Sequence, residues 1–104
     1  MADLAALQQR LGAVLCAPDP VAAWRERLPE LALDEAGLRV AALLVAKLRF
    51  ERLMSASRDA REWFARDAQA FTEAFRRYHH EVPPPALDPW GETDVFARWC
   101  ERTG

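Results

Sequence analysis

Two adjacent histidines, His79 and His80, carry side chains that can bind a metal ion or move a proton. On a helix, neighbouring side chains point about 100° apart, so these imidazoles cannot bind one metal ion together as histidines four residues apart can. We therefore interpret the pair as favourable positive charge near the C-terminus of a helix. Contact with a partner molecule is the alternative.

The cysteines and glycines form no recognisable catalytic or phosphate-binding motif. Cys16 and Cys100 lie near opposite ends of the chain and form no CxxC pair, so we expect two free thiols in a reducing compartment. The four glycines are scattered and cannot build a phosphate-binding loop. We therefore expect no catalytic residue, no metal site and no cofactor site, and we interpret the chain as a protein that is not an enzyme.

A local positive cluster lies near the end of the fourth predicted helix. Its members are Arg76, Arg77, His79 and His80, offset only by Glu73 and Glu81. The cluster could receive an acidic peptide, so we predict its members, together with the neighbouring Tyr78, as contacts for a partner protein or peptide. The two arginines are also ordinary cations of the last turn of a helix, and that alternative stays open.

The overall charge argues against a nucleic-acid partner. Fourteen basic and sixteen acidic residues give a net charge of −2, which provides no global attraction to a phosphate backbone. Arginines 49, 52, 58, 61 and 66 are interleaved with acidic residues, which is typical of a surface covered with salt bridges. The longest apolar run, residues 40–46, is far shorter than the ~20 residues that span a bilayer, and the N-terminus lacks a signal-peptide pattern. We expect a cytoplasmic protein without a membrane span.

Apolar periodicity and capping residues predict an all-α fold of about five helices in one domain, residues 1–104. Asp3 begins the first helix, Asp19-Pro20 the second, and Asp34 a long third helix that runs to about Met54. The third helix has apolar residues on two faces, one through Leu38, Ala41, Val45 and Leu48 and one through Val40, Leu43, Phe50 and Met54. A surface helix would not need both faces, so we expect it to be the central helix of the core.

The fourth predicted helix carries an aromatic stripe. Asp59 and Glu62 have the spacing of a capping box, which predicts a helix from here to about His80. The stripe on this helix consists of Phe64, Phe71, Phe75 and Tyr78. We interpret it as part of the core, because a single-faced apolar helix in a small domain normally faces inward, and a platform that stacks a ligand is the alternative.

A proline-rich break at residues 83–85 predicts a stiff spacer before the last helix, which Asp88-Pro89 can begin. The segment after the break is rich in aromatic residues for its length, with Trp90, Phe96 and Trp99. Trp and Tyr dominate binding hot spots, so we predict Trp90 as a contact for a partner protein. Folding of this segment back over the core is an equal alternative.

Roughly residues 45 to 100 resemble a family of small accessory proteins. These proteins are paired with multinuclear non-heme iron oxidative enzymes in the biosynthesis of ribosomally made, modified peptides, as in the 3-thiaglutamate and aminopyruvatide pathways. The residues that carry the resemblance are 49–54, Trp63-Phe64, 71–79, Pro83-Pro84, Phe96 and Trp99-Cys100.

The resemblance implies that the chain forms a heterodimer with a separate barrel-fold iron enzyme and recognises the leader segment of a precursor peptide. The iron would belong to the enzyme, and this chain would hold no cofactor. The sequence offers no convincing strand to which a peptide could add as a further strand, so the mode of leader capture stays open. A helical regulatory or DNA-associated domain is the alternative function.

Overall fold

Helices account for every regular element in the part of the chain that the structure describes. A computed structural model describes residues 4–82 and 89–103, with Pro89 and Trp90 described by their backbone alone. The helices are α1 (Leu4–Leu15), α2 (Pro20–Arg27), α3 (Glu35–Ala56), α4 (Arg58–Arg66), α5 (Ala68–Glu81) and α6 (Pro89–Thr103). The predicted all-α class is confirmed.

Two of the predicted helix starts are confirmed by their capping bonds. The side chain of Asp19 accepts a hydrogen bond from the backbone N–H of Ala22 at 3.1 Å, and Pro20 follows it as the first residue of α2. The side chain of Asp34 accepts from the N–H of Gly37 at 2.7 Å and begins α3. Each bond satisfies an amide that would otherwise lack a partner in the first turn. The predicted cap Asp3 and the spacer at residues 83–85 lie outside the described residues.

The fourth predicted helix is two helices, and its predicted start at Asp59 is wrong. The cap of α4 is Ser57, whose hydroxyl accepts from the N–H of Ala60 at 3.0 Å. Asp67 then ends α4 in a non-helical conformation and caps α5 by accepting from the N–H of Ala70 at 3.0 Å. Short polar side chains such as these compete with the helix for backbone amides, so they stop one helix and begin the next.

The aromatic stripe belongs to the core, as the sequence predicts. Phe71, Phe75 and Tyr78 are buried, whereas Phe64 lies at the edge with 36% of its surface exposed. The other buried members of this aromatic core are Leu53, Ala60, Phe96 and Trp99. Because Phe96 and Trp99 are on α6, the last helix folds back over the core; the side chain of Trp90 lies outside the described residues.

A second apolar cluster holds the N-terminal helices together. Val14, Ala23 and Leu28 form it, and Trp24 packs beside them while its indole N–H donates to the carbonyl of Leu31 at 2.9 Å. Helix α3 contacts α1 and α2 on this side and α4 and α6 on the other. It therefore connects the two clusters, as expected for a central helix.

One side of α3 is exposed, and it takes residues from both predicted apolar faces, so the expectation that both faces lie in the core is wrong in part. Its exposed apolar residues are Val40 (55% exposed), Leu43 (72%), Leu44 (60%) and Leu48 (47%). The reason is that the neighbouring helices cover the opposite side of α3, which carries Leu38, Phe50 and Leu53. We call the four exposed residues the α3 stripe.

None of the helices in the described part of the chain has the length and apolar character needed to cross a membrane.

Replacing Phe71 with Ala should destabilise the protein by about 3–5 kcal/mol, because the ring is fully buried and its loss leaves a cavity. The ring meets Trp63 at 5.2 Å and Phe96 at 5.8 Å between centroids. Urea unfolding followed by circular dichroism measures the change. Phe64→Ala is the matched control, and its partly exposed ring should cost much less. An equal loss in both variants would contradict this description of the core.

Candidate functional site

Arg49 is buried at the centre of the molecule, with 1% of its surface exposed. The sequence interpretation, which placed it on a surface covered with salt bridges, is wrong for this residue. Its position is four residues before Leu53 and eleven after Leu38, so it shares the inward face of α3 with these two buried leucines. A guanidinium on that face must find partners inside the protein.

Glu92 of α6 is the main partner of Arg49. The two side chains form a double hydrogen bond, Nε to Oε1 at 2.9 Å and Nη2 to Oε2 at 3.0 Å, and Glu92 is fully buried. The hydroxyl of Tyr78 donates a further short hydrogen bond to Oε2. The guanidinium also lies 4.7 Å from the centroid of the Tyr78 ring, within the range of a cation–π contact. One ion pair thus connects α3, α5 and α6.

The remaining guanidinium nitrogen, Nη1, reaches the end of α5 and the end of α1. It donates to the carbonyl of Val82 at 2.7 Å, lies 3.2 Å from Nδ1 of His79 and lies 3.7 Å from the sulfur of Cys16. We call Cys16, Arg49, Tyr78, His79 and Glu92 the Arg49 cluster. Among the described residues, no fully buried side-chain nitrogen or oxygen lacks a hydrogen-bond partner.

Burial and charge fix the ionisation of the Arg49 cluster. Burial acts to lower the pKa of Arg49, but the hydrogen bonds and negative charge of Glu92 outweigh it and raise that pKa. Burial and the charge of Arg49 lower the pKa of His79 from 6.5 to about 4. Burial raises the pKa values of the Cys16 thiol and of Tyr78, the latter with help from its hydrogen bond to Glu92. At neutral pH, Arg49 is therefore a cation, whereas His79, Cys16 and Tyr78 are uncharged.

The hydrogen bonds also determine where the protons of the two histidines lie. A guanidinium only donates, so Nδ1 of His79 accepts from Arg49 and the ring proton of His79 is on Nε2. A carbonyl only accepts, so Nδ1 of His80 donates to the carbonyl of Cys16 at 2.9 Å. The interpretation of His79 as a cation at the helix end is wrong, because it is buried against Arg49.

The predicted partner contacts of α5 divide between its two faces. Arg76, Arg77 and His80 are exposed, whereas Tyr78 and His79 are buried and belong to the Arg49 cluster. The guanidinium of Arg77 lies 5.5 Å from the ring centroid of Trp99, next to α6. Tyr78 is therefore not available as a surface contact, and the sixth predicted contact, Trp90, has a side chain outside the described residues.

A groove of about 360 Å³ lies beside the Arg49 cluster, between α3, the C-terminal end of α5 and the turn from α1 to α2. We call it the α3–α5 groove. Helix α3 contributes Arg39, Ala42, Leu43 and Ala46; α5 contributes His79 and His80; and the end of α1 and the turn contribute Leu15, Ala17, Pro18 and Pro20. Leu43 belongs both to this groove and to the α3 stripe, so the two surfaces are continuous.

Nothing in the sequence analysis singled out Arg49, Glu92 and Cys16 as a group. The detectable signal was the spacing of Arg49 from Leu38 and Leu53, which places a charge on an apolar helix face. Cys16 and Cys100 are both free thiols, as expected. Among the described residues, no group of three His, Cys, Asp or Glu side chains could hold a metal ion.

Comparison with known proteins gives no further identification. The chain matches no protein-family model, no curated protein and no solved structure. The resemblance to accessory proteins of iron enzymes therefore stays a prediction, as does the absence of enzymatic activity.

The stability of the protein should fall in acid because His79 is held neutral. Its pKa in the folded protein is about 4, below the usual 6.5, so between these values the unfolded chain binds more protons than the folded one. The contribution of His79 is complete above about pH 6.5 and is lost as the pH falls towards 4, a change of about 3 kcal/mol.

Urea unfolding between about pH 4 and 7 measures this effect. His79→Gln keeps an acceptor for Arg49 but cannot take up a proton, so its stability should depend less on pH over this window. His80→Gln is the matched control, and it should keep the pH dependence of the wild type. Parallel curves for the wild type and His79→Gln would show that His79 is not the group responsible.

Proposed function

We propose that this chain is a non-catalytic binding protein that holds another protein through the exposed apolar face of α3. The observation that carries this proposal is the α3 stripe, in which four large apolar side chains are between 47% and 72% exposed. Contiguous apolar patches on soluble proteins often mark interaction sites. The residues recur at i, i+3, i+4 and i+8 from Val40, which is the spacing by which one helix packs along another.

The Arg49 cluster supports a role without catalysis. Each of its ionisable groups is buried, and its hydrogen bonds join its members to one another and to backbone carbonyls. The thiol of Cys16 stays protonated because burial raises its pKa, so it is a poor nucleophile. This arrangement suits a cluster that holds helices in place.

The resemblance over roughly residues 45 to 100 suggests which proteins the chain would bind. We propose that the partner is a multinuclear non-heme iron enzyme, with which the chain forms a heterodimer, and that the complex acts on a ribosomally made precursor peptide. This chain would bind the leader segment of the peptide and present it, while the iron and the oxidative chemistry belong to the enzyme. An all-α chain with an unpartnered helix face is compatible with that role.

Replacing Leu44 or Leu48 with Asp should weaken binding of the partner enzyme by about tenfold or more, because a carboxylate would be buried in an apolar interface. Tagged protein is purified from its native host, the captured enzyme is identified by mass spectrometry and its iron is measured. Both leucines are about half exposed or more, so the fold should tolerate the substitutions, which circular dichroism verifies.

Leu4→Asp is the matched control, since Leu4 is 68% exposed on α1 and outside the α3 stripe. It should capture the enzyme as the wild type does. Capture of the same enzyme by Leu44→Asp and Leu48→Asp at the level of the wild type would rule out the α3 stripe as the binding surface. Capture of an enzyme without iron would rule out the proposed class of partner.

A further inference from the structure

We propose that the α3–α5 groove binds an amphipathic helix with acidic flanks, and that this is how the chain captures a peptide. The inference deepens the proposed function and rests on it, because it names the chemistry of the peptide and the place where it binds. It is carried by the groove's apolar walls, the cation Arg39 in its lining and a hydrogen-bond donor in one of its walls.

The walls of the groove are mostly apolar and open to solvent. Ala42 and Ala46 lie one turn apart on α3, and their small side chains leave room that Leu43 and the two prolines of the turn enclose. A volume of about 360 Å³ is at the lower end of the range for binding pockets, roughly 300–1,000 Å³. It fits a few large apolar side chains of a peptide.

Three ionisable residues line the groove: Arg39 is a cation, His79 is held uncharged, and His80 donates its Nδ1 proton to the carbonyl of Cys16. Glu35 is shared between Arg39 at 3.1 Å and Arg25 at 3.2 Å, so this group of three side chains keeps a net positive charge. Asp19, in the same turn, caps α2 through its carboxylate and does not line the groove. Arg39 is therefore the cation of the lining, and it favours a carboxylate at one end of an occupant.

Arg76 is a second exposed cation, on α5. It lies four residues before His80 and three after the exposed Glu73, so these side chains are neighbours on one side of the helix. Arg76 and His80 are both among the predicted contacts for an acidic peptide. The groove gives these contacts an apolar surface beside them, which the sequence alone did not reveal.

His79 supplies a donor of fixed identity in a wall of the groove. Arg49 holds its Nδ1 as an acceptor, so the proton is on Nε2, which donates to none of the described residues. Because no fully buried side-chain nitrogen among these residues lacks a partner, Nε2 is accessible, and His79 lines the groove. A side chain only 5% exposed that keeps a free N–H beside an apolar groove can donate to a carbonyl or carboxylate of an occupant.

The form of the occupant follows from the elements around the groove. The groove is built from α1, α3, α5 and the turn between α1 and α2, and inside these helices the backbone amides and carbonyls are already paired with one another. Beyond the ends of α1 and α5, the carbonyls of Cys16 and Val82 accept from His80 and Arg49. A strand added to a sheet edge is therefore not the mode that this surface supports. An amphipathic helix laid in an apolar groove makes its contacts through side chains and needs no free backbone groups.

The test uses the whole chain and two synthetic helical peptides of about 14 residues, or four turns, labelled for fluorescence anisotropy. Both have leucine at i, i+3, i+4 and i+7, and the remaining positions carry mainly glutamate in the acidic peptide and mainly lysine in the basic peptide. The acidic peptide should bind about tenfold more tightly than the basic one at low salt, and added salt should reduce the difference. Equal binding of the two peptides, or no binding of the acidic one, would overturn the proposal.

Three variants locate the binding site. Leu43→Asp, in the groove, should weaken binding of the acidic peptide by about tenfold or more. Leu48→Asp is the matched control, because Leu48 is on the α3 stripe but outside the groove, and it should bind the peptide as the wild type does. Arg39→Glu should reduce the preference for the acidic peptide. Equal effects of Leu43→Asp and Leu48→Asp would overturn the assignment to the groove.

Two further measurements separate the remaining outcomes. Nitrogen-15 NMR should show the proton of His79 on Nε2, and this N–H should shift when the acidic peptide binds; an unmoved signal would overturn the role of His79.

Sedimentation should show a monomer, and a dimer that the peptide dissociates would mean that a second copy fills the groove. The peptide assays contain no enzyme. If the acidic peptide does not bind, while Leu44→Asp and Leu48→Asp still weaken capture of the enzyme, the assignment of the groove is overturned and the proposed function stands.

Discussion

A buried ion pair between Arg49 and Glu92 is the constraint on which the arrangement of these helices depends. Neither charge reaches solvent, so each needs the other, and the cost of leaving one unpaired inside a protein is about 3–5 kcal/mol. The pair forms only when α6 lies against α3, with the hydroxyl of Tyr78 in place on α5. An apolar pair of similar size could stabilise the protein as well, so what the ion pair adds is a single preferred alignment of three helices.

The same alignment shapes the surface. Arg49 fixes the tautomer of His79, and the carbonyl of Cys16 fixes that of His80, so two histidines in a wall of the groove are oriented by residues of α3 and by the end of α1. Further contacts hold α6, including the indole N–H of Trp99, which donates to Glu81 at 2.7 Å. The groove is therefore supported from behind by the Arg49 cluster, and its shape depends on an ion pair that is itself buried.

Capping residues and periodicity were sufficient to predict most of the fold. Asp19 and Asp34 begin helices where the sequence says they should, because each has a short carboxylate followed by a strong helical pattern. The break at Asp67 was missed because the apolar stripe continues across it; a helix pattern does not show where one aspartate both ends and begins a helix. The stripe itself was correctly predicted as core, since Phe71, Phe75 and Tyr78 face inward together.

The site was much harder to predict than the fold. His79 was predicted as a partner contact because it belongs to a positive cluster near a helix end, and Tyr78 because it lies beside the aromatic tail. The packing of α6 covers Tyr78, and contact with Arg49 buries His79. The exposed side of α3 was missed because apolar residues on two faces of a helix predict burial of both. The sequence does not show how many helices surround α3. Arg49 and Glu92 are 43 residues apart, and a pairing over that distance leaves no local pattern in a single sequence.

The most direct test of the central claim is a double-mutant cycle on Arg49→Met and Glu92→Gln, measured by urea unfolding. Each single variant leaves a buried partner without its counterpart, so each should lose about 3–5 kcal/mol of stability. If the pair fixes the alignment of α3, α5 and α6, the double variant should lose less than the sum of the two by about 2 kcal/mol or more. Losses that add to within about 0.5 kcal/mol would contradict the account, because they would mean that the two side chains stabilise the protein independently.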